Sequence, residues 1–283
     1  MLLIVMTLIF GAHMSISGGF VGALKEAHAS LGANAMQIFM KSPRGRAVTK
    51  LTREEANEFK DYARKIDFKF TVAHCSYLLN FAKPGAEWAL QSLVDDLKGV
   101  EMLGGKGVVL HVGKSLELSH SEAINFLIKN LKKVLKETDG LNAKIILENT
   151  AGQGTEMGRS FEELFEIYEV LGKDKRVGFC LDTCHSWAWG YDWTRPELVF
   201  KGFDRILDLK NLDLIHFNDA MKVRGSRVDR HANLGDGEIG EKALAEIAKF
   251  ACKNSIPIIL ETPETKGKTH KDDIAVLQGF LSA

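Results

Sequence analysis

Short apolar runs recur eight times along this chain, and each run stops at a polar or charged side chain. Residues 177–181 (Val-Gly-Phe-Cys-Leu) are typical: the run is flanked by charge, and it ends at Asp182. A continuous apolar stretch of this length is typical of a strand buried on both faces of a parallel sheet. The polar side chain then leaves the apolar layer at the carboxyl end of the strand, where α/β folds build their sites.

An amphipathic stretch with helical spacing follows each run, and no Pro/Ser-rich linker interrupts the series. Eight strand-then-helix units predict a single-domain α/β fold over residues 1–283, a (β/α)₈ TIM barrel with its active site at the C-terminal mouth. The alternation alone would also permit an open, doubly wound sheet. The barrel is favoured because it directs every strand end at one mouth, whereas an open sheet spreads them along an edge. The runs assigned to strands are 2–12, 35–40, 70–73, 107–110, 143–147, 177–181, 212–215 and 257–260.

Local signals indicate where several helices begin. Ser119 followed by Glu122 has the spacing of a capping box. Thr52 and Ser160 each precede an acidic first turn, which also favours a helix start. Further helices are expected over residues 86–103 and 196–209.

The composition limits the possible environments. Lys+Arg and Asp+Glu both number 37, so the formal net charge is zero, and any contact with a polyanion depends on a local patch. Four cysteines without a CxxC pair predict a reducing compartment, here taken as the cytoplasm. The apolar residues 1–10 lack a basic flank and are shorter than the ~20 residues that span a bilayer, so they predict a first strand. We expect a monomer without a membrane partner.

The residues that end the apolar runs are of the types that bind metals. So many acidic and imidazole groups sharing one mouth would repel one another unless cations lay among them. Histidine combined with carboxylate favours Zn²⁺ or Mn²⁺ over Mg²⁺ or Ca²⁺, and nine ligands suit three ions if one carboxylate bridges two of them. Six candidate ligands end apolar runs: His74, His111, Glu148, Asp182, His216 and Glu261. Three more are His185, which lies three residues after Asp182, and Asp229 and His231, which lie in the long loop after the seventh run.

Each candidate also has a purely structural interpretation. A histidine at a strand end is often a hydrogen-bonded core residue, and Asp182 has the position of a helix N-cap. Glu148 and Glu261 are harder to explain in that way. Each follows a fully apolar triplet, and a buried carboxylate without a cation or donor costs several kcal/mol. His13 ends the first run in the same manner. We expect it to contact the substrate or to support one of the ligands.

Eight motifs of this chain, in order, resemble those of endonuclease IV, the second family of apurinic/apyrimidinic endonucleases. The resemblance extends over nearly the whole sequence and includes all nine candidate ligands. The motifs are Gly11-Ala-His-Met-Ser-Ile-Ser-Gly-Gly19, Ala73-His-Cys-Ser-Tyr-Leu-Leu-Asn80, Leu147-Glu-Asn-Thr-Ala-Gly-Gln-Gly154, Cys180-Leu-Asp-Thr-Cys-His185, His216-Phe-Asn-Asp219, Gly225-Ser-Arg-Val-Asp-Arg-His231, Leu234-Gly-Asp-Gly-Glu-Ile-Gly240 and Ile258-Ile-Leu-Glu-Thr262.

The resemblance implies a TIM barrel with three zinc ions, with Mn²⁺ possible in part. The first ion would be held by His74, His111 and Glu148. Glu148 would bridge to the second, which also takes Asp182, His216 and Glu261, and the third would be held by His185, Asp229 and His231. The implied reaction is in-line hydrolysis of double-stranded DNA 5′ to an abasic site, leaving a 3′-hydroxyl and a 5′-deoxyribose phosphate, with Glu148 and Glu261 at the reacting centre.

Two loops at the predicted mouth carry local positive charge, and they are candidates for DNA binding. Clustered cations beside glycine can reach phosphates or a minor groove. Where the family leads us to expect a bulky aromatic wedge, this chain has Arg46, for which we expect a phosphate contact. Tyr77 could stack in the gap left by an extruded nucleotide. The DNA-binding candidates are His13, Lys41, Arg44, Arg46, Tyr77, Arg227 and Arg230.

Two other functions remain open at this point. A sugar isomerase or epimerase of the same barrel type also places histidines and carboxylates around divalent metals, but it needs neither the Asp229/His231 loop nor the basic loops. A metal-stabilised nucleic-acid-binding module would need the basic loops but would not hydrolyse DNA.

Overall fold

Eight parallel strands close into a barrel in the computed structural model, which describes residues 8–42, 51–265 and 267–282. The order around the barrel follows the chain, and the first strand pairs with the last. The predicted (β/α)₈ barrel is therefore confirmed, and the open sheet is excluded. The barrel strands are β1 (Phe10–Met14), β2 (Ala35–Phe39), β3 (Phe70–His74), β4 (Gly107–His111), β5 (Lys144–Glu148), β6 (Val177–Asp182), β7 (Leu212–His216) and β10 (Ile258–Leu260).

Alternation along the strands divides the apolar side chains between two layers. One cluster packs between strands and helices, and a second, smaller cluster fills the barrel interior. The interior cluster includes Val109, Ile146 and Leu214. Since side chains of a strand repeat their direction every two residues, the residue two positions further along faces the same interior, at the mouth. His111 and Glu148 are two such residues, on adjacent strands and in register.

Nine α-helices are formed by the described residues, and eight of them complete the strand-then-helix units. The predicted starts are confirmed: Thr52 and Ser160 cap their helices, and Ser119 with Glu122 forms a capping box. The helices are α1 (Gly19–Leu31), α2 (Arg53–Lys65), α3 (Glu87–Met102), α4 (His120–Glu137), α5 (Phe161–Val170), α6 (Thr183–Trp189), α7 (Pro196–Leu207), α8 (Glu241–Lys253) and α9 (His270–Ser282).

Two short elements at the mouth are additions to the expected pattern. The helix α6 begins directly after β6, because the side chain of Asp182 accepts a hydrogen bond from the backbone N–H of His185 and caps the first turn. The long loop after β7 contains an antiparallel pair, β8 (Asp219–Ala220) and β9 (His231–Ala232). Sequence periodicity misses both, since a two-turn helix and two-residue strands are too short to show a period.

Two of the predicted segments lie partly or wholly outside the described residues. The first apolar run was expected from residue 2, and the description begins at residue 8. Arg44 and Arg46 fall in the segment 43–50, which is also outside it. Among the described helices, none combines the length and the apolar character that crossing a membrane requires.

Candidate metal centre

The buried carboxylate of Glu148, which ends β5, lies at the centre of a group of imidazoles. The residue is 0% exposed. Its oxygen Oε2 lies 3.0 Å from His74 Nε2 and 3.1 Å from His111 Nε2. Its other oxygen, Oε1, lies 3.0 Å from His216 Nδ1 and 3.2 Å from His185 Nδ1. Four strands and α6 therefore direct their polar side chains to a single point.

A second group forms around His216, at the end of β7. Its Nδ1 atom lies 3.1 Å from Glu261 Oε2 and 3.9 Å from Asp182 Oδ2, besides its contact with Glu148. The ligand atoms of these four residues all lie within 4.8 Å of one another. Asp182 combines two roles, because Oδ1 caps α6 while Oδ2 accepts a 2.8 Å hydrogen bond from Asn218 and faces this group.

The third group joins α6 to the β8–β9 hairpin. His185 Nε2 lies 3.3 Å from Asp229 Oδ2, and His231 Nε2 lies 3.4 Å from Asp229 Oδ1. His231 Nε2 is also 3.6 Å from Asp182 Oδ2, so this group adjoins the second one. All nine candidate ligands thus meet in one continuous cluster at the mouth.

Hydrogen bonds to the far ring nitrogens fix how the histidines face this cluster. Nδ1 of His74 lies 2.6 Å from the Cys75 carbonyl oxygen, and Nδ1 of His231 lies 3.1 Å from the Glu261 carbonyl oxygen. A carbonyl only accepts, so Nδ1 must carry the proton and donate. The Nε2 lone pair is then left facing the carboxylates. His185 follows the same scheme, since its Nδ1 lies 3.0 Å from the carbonyl oxygen of Asn149.

This arrangement fits a divalent cation. Imidazole lone pairs facing carboxylate oxygens at 3.0–3.4 Å repel unless a proton or a metal lies between them. The Nε2 atom of His231 is buried and has no hydrogen-bond partner among the described residues. Within the same residues, every ion-pair partner of Glu148, Asp182, Asp229 and Glu261 is a histidine rather than a lysine or arginine.

The pKa values of the cluster reflect the same crowding. Burial lowers the pKa of His185, but Asp182 and Asp229 outweigh burial and raise it well above 6.5. Burial raises the pKa of Glu148, but the neighbouring imidazoles, with His111 the largest contributor, bring it well below 4.5. The imidazoles and the carboxylates of the cluster therefore favour each other's charged forms.

Two buried cysteines adjoin the cluster without matching its chemistry. Burial raises the pKa of the Cys180 thiol to about 12 although His216 opposes it, and burial with the Asp182 carboxylate raises the pKa of Cys184 further. Cys184 Sγ donates to the carbonyl of Arg230 at 3.5 Å. Because a thiolate is the form that binds metals, the imidazoles and carboxylates are the better ligands here.

Three amide side chains hold the candidate ligands in place, and no role for them was predicted from the sequence. Asn149 Oδ1 accepts from the backbone N–H of Asp182 at 2.8 Å, and Asn218 Oδ1 accepts from that of Glu261 at 2.9 Å. Gln37 is fully buried in β2 beside Glu261. A glutamine within the apolar run Ala35-Met-Gln-Ile-Phe39 was a signal that could have found it, since a buried amide requires partners.

The residues predicted to contact DNA differ in how far the structure exposes them. Lys41 is the correction: it is 7% exposed, its ammonium lies 3.0 Å from Asp96 Oδ1, and it donates to the Ser92 carbonyl, so it is not available to a phosphate. Tyr77 is 54% exposed beside the mouth. His13 is half-buried against Glu261, with its Nδ1 atom 3.5 Å from Oε1.

The basic loop that precedes β9 is attached to α6 by two tryptophans. Trp187 donates its indole N–H to the Lys222 carbonyl at 3.0 Å. The guanidinium of Arg227 lies 4.6 Å from the centre of the Trp189 ring, within cation–π range. Arg227 and Arg230 are both exposed, so their charges remain accessible beside the cluster.

Comparisons with known proteins agree on the barrel fold. The family described as xylose isomerase-like TIM barrel matches residues 26–280. A probable endonuclease 4 of Nitrosopumilus maritimus is 40% identical over 261 residues, which is 89% of this chain and 92% of that protein. The crystal structure of endonuclease IV from Thermus thermophilus superimposes with a TM-score of 0.86 at 33% identity, covering 96% of this chain and 98% of that one. A D-tagatose 3-epimerase-like protein shares the fold alone, with a TM-score of 0.72 at 17% identity over 97% of both chains.

We predict that this cluster exchanges protons for metal. Burial lowers the pKa values of His111 and His216, but Glu148 outweighs burial at His111, and Cys180, Glu261 and Glu148 together outweigh it at His216, so both pKa values are raised, as at His185. The metal-free protein should therefore hold more protons on these rings than free imidazoles hold at the same pH, and zinc binding should release them. Zinc affinity should fall as the solution is made more acidic. Isothermal titration of Zn²⁺ in two buffers of different ionisation enthalpy measures the release.

Two observations would decide the outcome of this titration. His28→Gln, on the exposed face of α1, should release as many protons as the unaltered chain. Zinc binding at neutral pH with the same enthalpy in both buffers would contradict the prediction.

Proposed function

Because this chain belongs to the endonuclease IV family of xylose isomerase-like TIM barrels, we propose that it is a metal-dependent AP endonuclease of DNA repair. It would hydrolyse the phosphodiester 5′ to an abasic site in double-stranded DNA, leaving a 3′-hydroxyl and a 5′-deoxyribose phosphate. The observation that carries the proposal is the convergence of nine histidine, aspartate and glutamate side chains at one mouth.

The proposed metal set is three zinc ions, distributed over the three groups of ligands. His74, His111 and Glu148 would hold the first ion, and their ligand atoms lie within 4.8 Å of one another. Asp182, His216 and Glu261, with Glu148 shared, would hold the second. His185, Asp229 and His231 would hold the third. The mixed imidazole and carboxylate donors favour zinc, with manganese as the alternative.

The chain's own residues would orient the reactants. Bound divalent ions supply Lewis-acid stabilisation of phosphoryl oxygens and activate water at neutral pH. Glu148 ends β5 and Glu261 directly follows β10, so rigid strands hold both carboxylates in the mouth. Glu261 is held twice, because Asn218 accepts from its backbone N–H and Gln37 donates to its Oε1 atom at 2.6 Å.

The surface around the mouth would bind the duplex. Arg227 and Arg230 supply accessible cations beside the third ligand group, and cations of this kind bind DNA backbones with strong salt dependence. A metal cluster at a barrel mouth requires the target nucleotide to leave the stack, and the exposed ring of Tyr77 could occupy the gap. Arg46, outside the described residues, stays a predicted phosphate contact.

The hairpin distinguishes this function from a sugar epimerase. An epimerase needs one or two metals and an enclosed site for a small substrate. Here the β8–β9 loop contributes Asp229 and His231 to a third group, and the same loop presents accessible arginines. Both features suit a long anionic substrate.

The activity is tested by nicking of a duplex that contains one abasic site. The chain should cut this duplex on the 5′ side of the lesion, and EDTA should abolish the cut until zinc is restored. Glu261→Gln keeps the shape of the side chain and removes one charge, so kcat should fall by a factor on the order of 100 or more with little change in duplex affinity.

The control for this variant is Glu264→Gln, in the same loop, since the Glu264 side chain is 58% exposed. It should keep full activity. Cutting that resists EDTA, or normal turnover of Glu261→Gln with its metals bound, would contradict the assignment.

The basic loop gives a separate prediction about affinity. Arg227→Ala should weaken binding to abasic and intact duplexes alike and should lower the slope of log K against log salt by about one, because one phosphate contact is lost. Fluorescence anisotropy at several salt concentrations measures both. Arg205→Ala, exposed on α7, should leave the slope unchanged. A loss confined to abasic DNA would instead place Arg227 at the lesion.

A further inference from the structure

Gln37 is a fully buried amide that links two members of the second ligand group. It lies in the middle of β2 and is 0% exposed. Its Oε1 atom is 2.8 Å from His216 Nε2, and its Nε2 atom donates to Glu261 Oε1 at 2.6 Å. The same Nε2 atom is 3.0 Å from His13 Nδ1, on the neighbouring strand in register with Gln37. Both N–H groups of the amide and its carbonyl oxygen therefore have partners.

Glu261 decides which way the amide of Gln37 faces. If the amide were reversed, its carbonyl oxygen would lie against the carboxylate oxygen, and two acceptors would face each other. The carbonyl must therefore point at His216. Since a carbonyl only accepts, the Nε2 atom of His216 carries the proton, and its Nδ1 lone pair faces Glu148 and Glu261.

The amide also determines which oxygen of Glu261 is free. Oε1 is occupied by the N–H of Gln37, and Oε2 is left 3.1 Å from His216 Nδ1. A single side chain thus presents one nitrogen of His216 and one oxygen of Glu261 to the same point. Without it, the imidazole could take either tautomer, and the carboxylate could rotate.

We propose that Gln37 is a positioning residue that sets the zinc affinity of the second ligand group through His216 and Glu261. The inference rests on the proposed function, because it takes this group to be a metal site. Groups that orient metal ligands in this way contribute about 10–100-fold to metal affinity. Loss of both hydrogen bonds should weaken one zinc position by such a factor and leave the other two as they are.

The test uses two variants that keep the volume of the side chain. Gln37→Met removes both hydrogen bonds. Gln37→Glu keeps an acceptor for His216 but sets a second carboxylate against Glu261. The matched control is Asn130→Leu, which removes a buried amide remote from the cluster, one that donates to the carbonyls of Phe81 and Lys83.

The measurement is competition for Zn²⁺ between each metal-free protein and a chromogenic chelator. The unaltered chain and Asn130→Leu should show three tight positions. Both Gln37 variants should show two tight positions and one weakened by about 10–100-fold. Visible absorption of the Co²⁺-loaded proteins should change only for the Gln37 variants, whereas a general loss of folding would also appear in the thermal midpoint of Asn130→Leu.

The other outcomes distinguish failure of the role of Gln37 from failure of the proposed function. Three positions of unaltered affinity in both Gln37 variants would overturn the role of Gln37 and leave the proposed function intact. Equal weakening in Asn130→Leu would also overturn it, because the effect would then follow from lost stability alone. An unaltered chain that takes up no zinc would instead overturn the proposed function, and with it the premise of this inference.

Discussion

The buried carboxylate of Glu148 among four imidazoles is the interaction on which the rest of this structure depends. A fully buried carboxylate is stable only with compensating positive charge or donors, and here four imidazoles lie within 3.2 Å of its oxygens, where a proton or a metal can compensate its charge. Closure of the barrel makes this possible, because it brings His74, His111 and His216 from separate strands to one point. An open sheet of the same sequence would keep His111, in register on the adjacent strand, beside Glu148, but His74 and His216 would lie along the edge, two strands away on either side.

The groups around the candidate ligands fix how their side chains are oriented. Carbonyl oxygens and amides face the outer ring nitrogens, so the lone pairs turn inward. Asn149 contributes twice: its side chain holds the backbone of Asp182, and its own carbonyl oxygen accepts from His185. The segment after β5 therefore orients ligands of two different groups.

The barrel and the placement of the six strand-end candidate ligands at its mouth could be predicted from sequence because both follow from local rules. Apolar runs of strand length place the next polar side chain, such as Glu148 or Glu261, at the mouth. Asp182 is placed for both of its interpretations, since one carboxylate oxygen caps α6 and the other faces His216. The sequence alone cannot decide between a helix cap and a metal ligand, because the two oxygens of one carboxylate can serve both roles at once.

The details that escaped prediction depend on contacts distant in sequence. Lys41 belongs to a basic segment, yet its ammonium is buried in an ion pair with Asp96 of α3. No local sequence pattern predicts that partner. Gln37 interacts with residues 179 and 224 positions away, so only the closed barrel reveals its role. The β8–β9 hairpin is too short to have a period.

Anomalous X-ray diffraction from crystals of the zinc-loaded protein, measured on both sides of the zinc absorption edge, tests the central claim most directly. We expect three peaks at the mouth: one bounded by His74, His111 and Glu148, one by Asp182, His216 and Glu261, and one by His185, Asp229 and His231. A single peak, or none among these side chains, would contradict the assignment of the cluster as a trinuclear metal site.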